Sequence, residues 1–193
     1  MRLKIIFDKL IDLFYPRRAV CMGCGSMLGC DADDLCDVCR QKLAEHFIGP
    51  HKLQKGSGLD EAAFAYPYRG PAGSMVRKLK YSGVAVLSQR MGEDIARAVF
   101  MLHLSDTCVV TAVPMHPKRL RQRGRNHAEL IARQTATALG LTYADILYRT
   151  RNAPQQARLS LSQRLQNLNG AFAVRPEYSN LVNNGSILLI EMS

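Results

Sequence analysis

The chain has 193 residues, 47% of them hydrophobic and 22% charged, which suits one well-buried soluble domain plus a small module. No apolar run approaches the ~18 residues of a bilayer-crossing helix, which excludes a membrane span. The net charge of +10 is uneven: residues 1–60 carry 9 basic and 8 acidic side chains, residues 61–193 carry 17 and 8, so the second part either meets an anionic partner or presents a plain basic surface.

Residues 1–16 predict an amphipathic helix, because Leu3, Ile6, Phe7, Leu10, Ile11 and Phe14 fall on one face. Asp8, Lys9 and Asp12 interrupt what would be the apolar core of a signal peptide. The helix is expected to pack on the protein; a membrane-surface role is the lesser alternative. With no export signal the expected compartment is the cytoplasm, where thiols stay reduced and a disulfide framework is disfavoured.

Residues 17–58 carry the clearest chemistry. Cys21 and Cys24 form one Cys-x-x-Cys pair, Cys36 and Cys39 a second, eleven residues on. One such pair alone would leave a redox motif as a serious rival. Two tight turns bring four thiolates into a closed tetrahedral shell with no open position, the arrangement of a structural zinc ribbon. Gly23 and Gly25 permit the backbone conformations of such a turn. Cys30 reads as a spare thiol in the ribbon's loop or as a substitute ligand, and Cys108 as a small core residue. His46 and His51 are not needed once four cysteines are in place.

A short helix is predicted over 40–47. Gly49-Pro50 and the glycines at 56 and 58 mark a linker or exposed turn before a domain over 59–193. A strand is predicted from Phe64, ending at Arg69-Gly70-Pro71, then helices over 75–81 and 87–102 and a buried strand over 108–114. Asn126 is expected to cap a helix that stops at Gly140. A second strand over 143–149, a loop over 151–156, a helix over 159–168, a strand over 171–174, a turn at 183–185 and an apolar strand over 187–190 follow. Alternating strands and helices argue for an α/β domain with a largely parallel sheet.

Two polar segments stand out. Lys118, Arg119, Arg121, Arg123, Arg125 and Asn126 follow a buried strand and precede a helix, where parallel sheets place ligands and helix N-termini favour anions. Phosphate or pyrophosphate binding and a solvated basic loop are equally open readings. Arg149, Arg151 and Gln155 begin a second segment, either closing over a ligand or lying free at the surface.

The cysteine pairs, the Leu79-Lys80-Tyr81 element, the run from Val113 to Asn126, the helix containing Ala128-Glu129-Leu130, the Arg149, Arg151, Gln155 spacing, the Leu161, Arg164, Asn167 spacing and Gly170-Ala171-Phe172 resemble in order and spacing the ComF/GntX family. These are double-zinc-ribbon, phosphoribosyltransferase-like proteins linked to bacterial competence and DNA uptake. Arg125 stands where the family often has an aromatic residue and His127 where it usually has Gln. The resemblance covers nearly the whole chain. It implies a type I phosphoribosyltransferase fold over 59–193, phosphoribosyl pyrophosphate as ligand with magnesium, the loop after Val113 on the pyrophosphate side, and the segment from Arg149 as the covering loop. Catalysis in such a site rests on positioning and on neutralising the leaving group's charge.

After the last strand the family carries two acidic residues and a phosphate-cradling turn; this sequence has Glu191, Met192 and Ser193. Glu191 stands where the first acid belongs, and the Met192 thioether cannot replace the second. On this reading the chain is a C-terminally shortened copy that binds phosphoribosyl pyrophosphate poorly and turns it over negligibly, since a phosphate cradle's charge-assisted bonds contribute ~1.5–3 kcal/mol each. The rival expectation is a non-enzymatic zinc-ribbon protein that binds single-stranded DNA or scaffolds proteins of the competence machinery. Aromatic residues make up only 7% of the chain and are not interleaved with the basic run, which tells against a base-stacking platform.

Overall fold

The computed structural model describes residues 20–29, 34–53, 58–81, 86–102, 104, 108–151, 160 and 168–192. The helix expected over 1–16, nearly all of that over 159–168, and the loop beyond Arg151 lie outside the described residues, as do Cys30 and Gln155. The chain divides into two compact units: Met1–Ile48 with Phe64–Val84, and Gly49–Ala63 with Ala85–Ser193.

In the first unit Val20 bridges Met27 in antiparallel fashion, enclosing a tight turn in which Gly25 N–H donates to Cys21 O at 2.8 Å. Helix α1 (Asp37–Glu45) begins earlier than its apolar spacing suggests. Cys36 stands at its N-cap position without capping by its side chain, and Asp37 in the first turn suits the positive end of the helix. Cys39 and Leu43, one turn apart, are buried together with Leu35. Two short strands, β1 (Gly49–His51) and β2 (Ala62–Phe64), pair with each other; apart from Phe64 they belong to the second unit. The expected linker at Gly49-Pro50 is therefore a strand, entered at Gly49 with φ of 76°. Strand β2 also ends sooner than expected, and Tyr66 beyond it packs edge-to-face on Phe47 at 5.9 Å.

Helix α2 (Gly70–Tyr81) starts at Gly70 rather than Met75. The Arg69-Gly70-Pro71 signal is a helix start: proline suits the first turn, where its missing N–H goes unused. Met75, Val76 and Leu79 form its buried face, and the helix packs against α1.

The second unit is built on helix α3 (Val86–Val99), strand β3 (Val109–Ala112), helix α4 (Pro117–Arg123), helix α5 (His127–Leu139), strands β4 (Thr142–Tyr143), β5 (Leu147–Arg149) and β6 (Phe172–Val174), helix α6 (Ser179–Asn184) and strand β7 (Ile187–Ile190). The parallel sheet has the order β4-β3-β7, with Val110 facing Tyr143 on one side and Leu188 on the other. β3 is central because Val110, Thr111 and Ala112 are buried, as a fully covered parallel strand requires. Helix α5 covers the sheet and packs on α3, with Leu87, Ile131 and Ala132 fully enclosed. Each large side chain so buried contributes ~1.5–3 kcal/mol. Gly140 in the left-handed conformation (φ 68°) ends α5 as expected.

The single strand expected over 143–149 is two. After β4, Ala144 N–H donates to Val110 O (2.9 Å) and Ile146 N–H to Thr111 Oγ1 (3.3 Å), with Ile146 buried. Beyond this splice β5 leaves the parallel sheet and pairs antiparallel with β6, Arg149 opposite Phe172. The turn expected at 183–185 is the end of α6, preceded by a 3₁₀ turn over Pro176–Tyr178. Among the described residues no helix is long and apolar enough to cross a membrane.

Candidate metal centre and cationic sheet edge

The Sγ atoms of Cys21, Cys24, Cys36 and Cys39 all lie within 4.8 Å of one another. All four are free thiols, and Cys24 Sγ stands 3.8 Å from Cys36 Sγ. A tetrahedral ion with metal–sulfur bonds of about 2.3 Å sets its sulfurs about 3.8 Å apart, against about 2.05 Å in a disulfide. The four thiols therefore fit a metal ion and are not arranged as disulfides.

The backbone prepares the sulfurs for that role. Cys36 N–H donates to Cys21 Sγ at 3.3 Å. Burial works against the Cys21 thiolate, but amide hydrogen bonds from Cys24, Cys36 and Gly23 outweigh it and lower the Cys21 pKa. The Ser26 hydroxyl, 3.0 Å from Cys24 Sγ, and the Ser26 amide pull the Cys24 thiol down to about 6. Burial and the three neighbouring thiols push Cys39 up, so it holds its proton longest, and a cation in the cluster would favour its thiolate. Cys21 and Cys39 are enclosed; Cys24 is exposed and Cys36 half-buried.

Four further residues build this centre, and Gly23, Lys78 and Ser26 do so in ways their sequence context left unread. Gly23 is needed for room: a Cβ there would stand 2.7 Å from Cys39 Sγ and 3.0 Å from Pro71 Cβ. Gly25, with φ of 81°, is the one whose conformation needs glycine. Lys78 Nζ donates to Cys21 O at 3.0 Å, tying α2 to the first cysteine turn. Ser26 supports Cys24, and its place directly after Cys-Gly was its only signal.

The basic segment after β3 is largely helical rather than a loop. His116 caps α4 by accepting from Lys118 N–H (3.2 Å), Pro117 occupies the first turn, and Gly124 closes it with φ of 76°. Lys118, Arg121 and Arg123 on α4 are exposed, as is Arg125 after it; Arg119 is half-buried. Asn126 holds the N-cap position of α5 but does not cap with its side chain. Its Nδ2 donates instead to Val113 O at 3.1 Å, closing the neck of the segment. This corrects the expected capping role.

The fold places Arg119 within electrostatic range of Arg149. The splice along Val110 and Thr111 carries the chain past the C-terminal end of β3, where β5 ends on Arg149. Burial lowers the Arg149 pKa, and the positive charges of Arg119 and Arg151 lower it further. Arg149 lies over the Phe172 ring at 5.2 Å, and Arg151 donates to Asn169 O at 2.6 Å. Glu191 follows β7 at the same edge, where Val113 N–H donates to Ile190 O at 3.0 Å.

Compared with protein-family models, curated proteins and solved structures, the chain matches none of them.

Proposed function

We propose that the cysteine cluster holds one structural zinc ion, and that the second unit is a phosphoribosyltransferase-like domain whose cationic edge takes a phosphorylated ligand, as the ComF/GntX resemblance implies. Four soft thiolates in a closed shell suit zinc, and such a shell leaves no position for substrate. The observation that carries the ligand reading is the position of Arg149, over the Phe172 ring and donating to Arg151 O, where it feels the charges of Arg119 and Arg151 near the C-terminal end of the central strand. Gathering like charges costs energy unless an anion offsets it, and parallel sheets bind ligands at that end. Magnesium would enter with the ligand, held chiefly by its phosphates, with Glu191 offering a protein carboxylate. Turnover is expected to be negligible, because Met192 supplies no second carboxylate for the ribose hydroxyls.

Titration calorimetry with pyrophosphate and magnesium tests this reading. Binding weaker than micromolar is expected, reduced about tenfold or more in the Arg119→Ala, Arg149→Ala double variant, since each charge-assisted bond contributes ~1.5–3 kcal/mol. Binding that the double variant leaves unchanged would sink it. The exposure of Lys118, Arg121, Arg123 and Arg125 favours a second reading, contact with the backbone of single-stranded DNA. That reading requires salt-dependent retention of single-stranded DNA, lost when Arg121, Arg123 and Arg125 become Ala.

A further inference from the structure

The four ligands of the metal centre are unequally protected. Cys21 has no exposure and Cys39 has 3%, whereas Cys24 is exposed and Cys36 half-buried. The sulfurs of these two less protected residues form one edge of the shell, 3.8 Å apart. A closed Cys₄ site is inert when all its sulfurs are enclosed; here one edge meets solvent.

We propose that Cys24 and Cys36 are an oxidation site, at which a hydroperoxide converts the two thiolates into a disulfide and so releases the metal. The inference rests on reading the cluster as a zinc site. The exposed Cys24 sulfur attacks the peroxide, breaking the O–O bond and becoming a sulfenic acid, with one water released after protonation. Cys36 Sγ, already its neighbour, attacks the Cys24 sulfur and displaces hydroxide, which a proton converts to the second water. The two sulfurs lose two electrons in all, the peroxide gains them, and two protons are consumed. Closing the pair needs the sulfurs to approach from 3.8 Å to about 2.05 Å, a motion open to a turn carrying the exposed Gly25 and Ser26. Cys21 and Cys39 remain thiolates, and two ligands hold zinc far more weakly than four. The oxidised pair spans the two Cys-x-x-Cys turns, so a reductant and added zinc restore the shell.

The zinc-loaded full chain is treated with hydrogen peroxide, free zinc is followed with a chromogenic chelator, and disulfides are mapped by peptide mass spectrometry at partial reaction. Loss of the bound zinc is expected in step with a Cys24–Cys36 disulfide, while Cys21 and Cys39 remain alkylatable. In a parallel measurement without oxidant, N-ethylmaleimide should modify Cys24 before Cys21 or Cys39. Retention of zinc under peroxide overturns the inference and leaves the zinc reading standing. So does a first disulfide drawn from any other pair, Cys30 included, or first alkylation at an enclosed cysteine. A reduced chain that takes up no zinc before any peroxide is added overturns both.

Discussion

Gly23 and Gly25 show how two identical residues in one turn serve different physical ends. Gly25 has a left-handed backbone with open space around it, so Gly25→Ala pays only conformational strain, roughly 1–2 kcal/mol. Gly23 has no room: the added methyl meets Cys39 Sγ, and Pro71 blocks a sideways escape. Gly23→Ala is therefore expected to take up far less of the proposed zinc by elemental analysis, while Gly25→Ala takes up a full equivalent. A full equivalent in Gly23→Ala would show that the shell tolerates displacement of Cys39. Asn126 carries a similar lesson. Its residue type suits a helix cap, and it stands at the cap position, yet its amide serves Val113 thirteen positions back.

Among the elements, α4 was the one hidden in a basic run. It has no buried face, so no apolar period marks it; only His116-Pro117 at its start and Gly124 at its end are local signs. Helices α3 and α5 are the opposite case, held by an intimate crossing at Gly92. A Cβ there would lie 2.5 Å from Gln134 Cβ and 2.9 Å from Thr135 N, and Thr135 Oγ1 donates to Gly92 O at 3.3 Å. Backbone cannot yield as a flexible side chain can. Gly92→Ala is expected to destabilise by about 1–3 kcal/mol, read as a lower urea midpoint at unchanged slope. An unaltered midpoint would mean that the helices separate without cost.

For the whole molecule, the two units rest on different sources of stability. The second unit has a sheet and helices enclosing Val110, Ile131 and Ile146; the first depends on a few buried residues around four thiols. Small modules of that kind draw much of their folding energy from the metal. Chelation under reducing conditions should therefore abolish hydrogen-exchange protection in 34–48 and 70–81, leaving β3 and α5 protected. Protection retained in the first unit, or lost in β3 and α5 as well, would contradict this division.

The sequence by itself determined what short-range chemistry sets: the cysteine spacing, the buried character of β3, the apolar strand β7, and the span of α5 with Gly140 at its end. Thiolate spacing, side-chain periodicity and turn glycines act within a few residues, so they can be read along the chain. Only the tertiary structure decided that Arg149 feels the charge of Arg119, that the strand is interrupted between Tyr143 and Leu147, and that Gly23 must lack a side chain. Those outcomes depend on which strand lies beside which and on what is packed against each turn. Residues far apart in sequence come together through pairing and burial, and no local propensity encodes that choice.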